Sequence, residues 1–185
     1  MHVGAGVGRN TMKSQPIRLR AQGQSRLWLT VDAKLFEDTD GYLTVEKSAW
    51  MVKCGKDATT EVLHYDFERH KDGYPEAHLQ VFGTNTEFES ELEAAGRRRA
   101  RLHHLHLPVG GKRFRPTVED LVEFLIDERL ADPKPGSKDT LNRSRTAYRR
   151  IQLAAAIRRE PDIAATTLLN LGYPFPTPTR SGAAT

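Results

Sequence analysis

The stretch from Gly96 to Glu128 decides the fold, and it reads GRRRARLHHLHLPVGGKRFRPTVEDLVEFLIDE. Residues 101–109 alternate, so that leucines at 105 and 107 fall on one side of an extended chain and histidines at 104 and 106 on the other. Pro108 cannot donate to a β-ladder, so a strand would end there or lie at an edge. The stretch predicts a strand at 101–109, a turn at Gly110-Gly111 and then a helix.

The clearest helix in the chain is predicted at 117–130. Thr117 is a good N-cap, and Asp120 stands where a capping box needs an acidic partner. Glu119 and Asp120 also suit the positive end of the helix dipole. The apolar residues that then recur at helical spacing are Val118, Leu121, Val122, Leu125 and Ile126.

Length and composition limit the kinds of protein that this chain can be. A chain of 185 residues suits one domain with extra segments, and no apolar run approaches the roughly 20 residues that span a bilayer. The single cysteine, Cys54, excludes an internal disulfide framework and a cysteine-based zinc site. We therefore expect a cytoplasmic protein without a membrane partner. The formal charge of +4 is mild.

Four further strands precede the deciding stretch. Their predicted ranges are 26–36, 42–54, 61–70 and 77–82, and a short acidic helix is predicted at 87–95. The Asp72-Gly73 turn favours antiparallel pairing of the third and fourth strands. Residues 1–24 are predicted to be a flexible segment, within which Met12 is a second candidate start.

The segments after the deciding stretch are helical. A linker is predicted at 131–139, an arginine-rich helical extension at 140–172 and a flexible tail at 173–185. The predicted fold class is α+β, with an antiparallel sheet of about five strands at 25–130 packed on one face by C-terminal helices.

Histidines share the sheet face that the helices leave uncovered. If the register follows the apolar pattern, His104, His106, His78 and Asp66 project from that face, together with His64 and Gln80. One histidine could take the proton of an RNA 2′-hydroxyl while another protonates the leaving oxygen. The predicted catalytic residues are therefore His104, His106, His78 and Asp66.

Two other interpretations of this face stay open. His104 and His106, two residues apart, could chelate a metal with His78 or Asp66 as third ligand. An ordinary polar surface is the other interpretation. His103 falls on the apolar side, where a core or boundary role is expected. The sequence identifies no cofactor.

Arginines form two groups that could meet phosphates. The predicted nucleic-acid-binding residues are Arg97, Arg98, Arg99, Arg101, Arg145 and Arg149. The alternative is that these arginines are solvated side chains on a sheet rim and a helix face.

HLHLPVGGKRFRPTVEDLVEFL, preceded by EAHLQVFG, resembles a pattern in small bacterial proteins in which a His-x-His strand is followed by a proline, a turn and a helix. It is also similar to TumE-like toxins of toxin–antitoxin systems. The resemblance covers about residues 60–128, and only His104 and His106 match closely enough to be named. It implies an RNA-directed toxin with an antitoxin partner.

Taken together, these patterns predict a protein that acts on or binds nucleic acid, as a toxin-like ribonuclease with a histidine site. The alternative is a non-catalytic binding or assembly protein that uses the arginine-rich helix or the exposed sheet.

Overall fold

The computed structural model describes residues 1–8, 13–21, 26–39, 41–96, 98–111 and 115–174. Its strands are β1 (His2–Gly4), β2 (Ile17–Arg18), β3 (Leu27–Glu37), β4 (Leu43–Cys54), β5 (Thr60–Glu68), β6 (Ala77–Val81) and β7 (Leu107–Pro108). Its helices are α1 (Thr86–Ala94), a 3-10 helix (Leu102–His104), α2 (Val118–Asp127), α3 (Ser137–Arg159) and α4 (Pro161–Asn170). The predicted α+β class is confirmed.

The seven strands form one antiparallel sheet in the order β1-β3-β4-β5-β6-β7, with β2 also paired to β3. Four of the five predicted strands are present as β3 to β6. Two short strands, β1 and β2, lie within residues 1–24, for which a flexible segment was predicted, and both pair with β3. Those segments were too short for alternation to be visible.

Helix α2 covers one face of the sheet. Leu121 and Leu125 of the helix are buried with Leu29 of β3 and Val52 of β4, which are register partners. Thr117 accepts a hydrogen bond from the Asp120 amide (3.2 Å), and the Asp120 carboxylate accepts one from the Thr117 amide (2.7 Å). The predicted capping box and the predicted core face of this helix are confirmed.

The predicted strand at 101–109 is wrong except at Leu107–Pro108, which pairs with His78–Leu79. Local hydrogen bonds form the 3-10 turn, from the His104 amide to the Arg101 carbonyl (3.0 Å) and from the Leu105 amide to the Leu102 carbonyl (3.0 Å). The carboxylate of Glu89 also accepts the Leu102 amide (3.3 Å). Because these partners satisfy the backbone, a β-ladder is not needed there.

The chain divides into two compact units, Met1–Arg145 and Thr146–Thr185. The first unit holds the sheet, α1, α2 and the start of α3. The second holds the rest of α3 and α4, and residues 175–185 of the predicted tail lie outside the described part. None of the described helices combines the length and the apolar composition needed to cross a membrane.

Candidate active site

Two register pairs on β5 and β6 form the floor of the site. Asp66 lies opposite His78, and His64 lies opposite Gln80. In β5 the core residues Leu63 and Tyr65 alternate with these polar residues. The predicted grouping of the four polar side chains on the face away from α2 follows from this register.

Hydrogen bonds fix the orientation of His64. The Gln80 amide nitrogen donates to the His103 carbonyl (2.6 Å), which leaves the Gln80 amide oxygen to accept from Nε2 of His64 (2.7 Å). Because that oxygen can only accept, the proton of a neutral His64 ring sits on Nε2. The same nitrogen lies 3.3 Å from Oδ2 of Asp66. His64 therefore points a proton toward the carboxylate.

His78 is held between the backbone and aromatic rings. Its Nδ1 donates to the Pro75 carbonyl (3.0 Å), and its Nε2 lies 3.8 Å from Oδ2 of Asp66. The residue is 3% exposed. Its ring packs edge-on against His106 (4.7 Å between centroids) and Tyr74 (4.9 Å). His78 is thus placed to orient its neighbours and is covered from solvent.

His106 is partly exposed beside His78. Its ring stacks on Tyr74, with centroids 4.1 Å apart and planes 15° apart. Lys71 Nζ lies 4.9 Å from the centroid of the Tyr74 ring. Hydrogen bonding to Tyr74, together with the nearby Glu68 carboxylate, raises the pKa of Lys71. We call His64, Asp66, Lys71, Tyr74, His78 and His106 the histidine cluster.

Asp66 is the ionisable centre of the histidine cluster. Burial raises the pKa of its carboxyl, an effect that His64 and His78 partly oppose. The side chain nevertheless keeps 31% exposure. A carboxyl that holds its proton to a higher pH and still reaches solvent is suited to donate that proton to a substrate.

The two histidines of the predicted His-x-His pair contact different neighbours. His106 contacts Tyr74 and His78, whereas His104 contacts the His103 ring (4.2 Å between centroids). His103 in turn stacks on Phe82 (5.4 Å). The interpretation of His104 and His106 as side-by-side residues of one strand face is wrong, since His104 belongs to the 3-10 turn. A catalytic role for His104 stays a prediction.

Sequence reasoning missed Lys71 and Tyr74. Both lie in the turn between β5 and β6, where no periodicity marks a side chain as facing a site. The available signal was an aromatic residue and a lysine in a short turn flanked by two histidine-bearing strands.

The arginines predicted to bind nucleic acid have different surroundings. Arg98, Arg99 and Arg149 are exposed, and Arg97 lies outside the described residues. Arg101 pairs with the buried Glu89 (2.9 Å). Burial alone would raise the pKa of Glu89, but hydrogen bonds from the Leu102 amide and Arg101 lower it.

Arg145 forms ion pairs with two carboxylates of helix α2. Its guanidinium lies 2.8 Å from the Asp120 carboxylate and 2.6 Å from that of Glu123, and the side chain is only 11% exposed. These ion pairs account for the arginine without a phosphate partner. Its role in nucleic-acid binding, like that of the other arginines, stays a prediction.

Across the described ranges, no three His, Cys, Asp or Glu side chains are grouped so that they could hold a metal ion. The donor geometry of these residues thus gives no support to the metal-chelation interpretation.

No family model, no curated protein and no solved structure matches this chain.

Proposed function

We propose that this protein is a toxin-like ribonuclease whose active site is the histidine cluster. The observation that carries the proposal is that Asp66 and His106, both partly exposed, lie on either side of the buried His78. RNA is the substrate class that the resemblance to TumE-like toxins implies, and an antitoxin protein would be the natural partner of such an enzyme.

The proposed reaction is attack of a 2′-hydroxyl on the adjacent phosphorus. His106 takes the hydroxyl proton, the 2′-oxygen bonds to phosphorus, and the bond from phosphorus to the 5′-oxygen breaks. In its protonated form Asp66, whose pKa is raised by burial, gives a proton to the departing 5′-oxygen. The products are a 2′,3′-cyclic phosphate and a free 5′-hydroxyl, so atoms and charges balance.

Other members of the histidine cluster have supporting roles in this scheme. Lys71 supplies positive charge for the phosphate oxygens as negative charge develops in the transition state. His78 and His64 hold the Asp66 carboxyl in place. Tyr74 fixes the His106 ring by stacking on it.

The test is cleavage of total RNA by the purified protein and by His106→Ala and Asp66→Asn variants. We expect each substitution to slow cleavage by about 100-fold or more, because general acid–base catalysis contributes factors of that size. His70→Asn is the matched control: His70 is exposed outside the cluster, and asparagine tolerates its positive φ of 59°.

Full cleavage by folded His106→Ala and Asp66→Asn variants would refute the proposed site. A chelator is included in a parallel reaction. Loss of cleavage with chelator would contradict the acid–base mechanism and return attention to a metal.

A further inference from the structure

The C-terminal unit exposes an unusual amount of aliphatic surface. Its exposed large apolar residues are Ile151, Leu153, Ile157, Ile163, Leu169, Leu171 and Tyr173. Neither α3 nor α4 contains a buried residue. Single exposed apolar side chains need no explanation, but a concentration of them on one small unit is typical of an interaction surface.

Helix α3 arranges part of this surface into a stripe. Thr146, Arg150, Leu153 and Ile157 recur at intervals of four, three and four residues, so they share one side of the helix. Leu153 is 62% exposed and Ile157 is 45% exposed. Arg149, one turn before Leu153, borders the same side. We call these five residues the α3 stripe.

The positive charge of α3 favours an acidic partner. Its sequence, SKDTLNRSRTAYRRIQLAAAIRR, has seven Lys or Arg residues and one Asp. A nucleic acid would neutralise the arginines but would leave Leu153 and Ile157 uncovered. A protein surface that carries both carboxylates and apolar side chains would match both properties of the α3 stripe.

The chain itself carries such a surface on α1. That helix, TEFESELEA, has four glutamates and neither lysine nor arginine. Glu89 is buried, and it accepts hydrogen bonds from Arg101 and the Leu102 amide. Glu87 and Glu91 are exposed on the side of the helix opposite Glu89, and the adjacent Phe88 is 41% exposed. An exposed aromatic residue beside two carboxylates complements aliphatic residues beside two arginines.

We propose that the chain self-associates by docking α1 of one copy against the α3 stripe of a second copy. Phe88 meets Leu153 and Ile157, while Glu87 and Glu91 pair with Arg149 and Arg150. Each copy carries both surfaces, so any copy can dock on another. This inference does not depend on the proposed reaction.

Sedimentation velocity of the full chain tests the proposal over a range of concentrations. The mass should rise above that of the 20.8 kDa monomer as concentration increases, and salt should weaken the association. Glu87→Arg/Glu91→Arg and Arg149→Glu/Arg150→Glu should each weaken it by about tenfold or more, because like charges then face each other. Lys56→Glu/Lys134→Glu, at exposed loop positions, makes the same change in net charge as the arginine reversal and should have little effect.

Mixing the two charge-reversed variants provides the decisive measurement. Each has lost one surface, but the acidic α1 of one variant again meets the basic stripe of the other, so the mixture should associate. Monomeric behaviour of the wild type at every concentration would overturn the proposal. So would association that both reversals leave intact. If the wild type is monomeric and Arg149→Glu/Arg150→Glu loses binding to single-stranded RNA, the α3 stripe belongs to RNA instead.

Discussion

The raised pKa of Asp66 makes the stability of the folded state depend on pH. Because burial raises its pKa, the folded state binds a proton more tightly than the unfolded chain does. Between the two pKa values the folded state holds more protons, so the free energy of unfolding falls as pH rises through that range.

The expected fall in the free energy of unfolding with rising pH gives a prediction for Asp66→Asn. The asparagine variant should gain stability relative to the wild type as pH is raised from about 4 to about 7, since an amide has no proton to lose. Urea denaturation at the two pH values measures the change. Asp57→Asn, at an exposed turn residue, should show no comparable gain. If Asp66→Asn instead loses relative stability as pH rises, the carboxylate is favoured by the fold and the assigned direction is wrong.

Gln80 gives a second prediction at this scale. Gln80→Leu removes both the acceptor for His64 Nε2 and the donor to the His103 carbonyl. We expect the His64 ring to lose its fixed tautomer, because no neutral acceptor then selects Nε2 for the proton. Nitrogen NMR of the imidazole rings measures this without an activity assay. An unchanged Nε2-protonated His64 in the variant would show that Asp66 alone sets the tautomer.

Residue alternation was enough to place His64, Asp66, His78 and Gln80 on a common face, because period two is fixed by the geometry of a strand. It could not place Lys71 and Tyr74, since a turn imposes no such period. The positions of these two side chains depend on where the turn folds relative to β6 and β7, and tertiary packing decides that.

At the scale of elements, α2 was predictable and the 101–109 segment was not. The helix carries agreeing local signals in its capping box and its apolar stripe. The segment alternates like a strand, but Glu89 and Gln80 accept or donate to its backbone from outside. Hydrogen bonds from side chains distant in sequence thus favour a turn where the local alternation predicts a strand.

Arg145 links α2 to the start of α3, and its removal is testable. Arg145→Ala should lower the free energy of unfolding by about 1–3 kcal/mol, since Asp120 and Glu123 lose a charged hydrogen-bonding partner. Hydrogen exchange should also quicken in the first turns of α3. Arg143→Ala, an exposed neighbour on the same helix, is the control and should change little. Equal effects of both substitutions would show that the ion pairs do not anchor the helix.

At the scale of the whole molecule, the two faces of the sheet differ in the residues that they carry. The face under α2 supplies the apolar core, and the opposite face carries the histidine cluster. The α+β class followed from the order of strands and helices in the sequence. The short strands β1 and β2 did not, because their pairing with β3 depends on contacts across the sheet.

The most direct test of the central claim is the chemical form of the cleaved end. A short single-stranded RNA is incubated with the protein, and the product is identified by phosphorus NMR, with DNA of the same sequence as control. Acid–base cleavage by the histidine cluster predicts a 2′,3′-cyclic phosphate from RNA and no cleavage of DNA, which lacks the attacking hydroxyl. A 5′-phosphate end, cleavage of DNA, or intact RNA in the presence of folded protein would contradict the account.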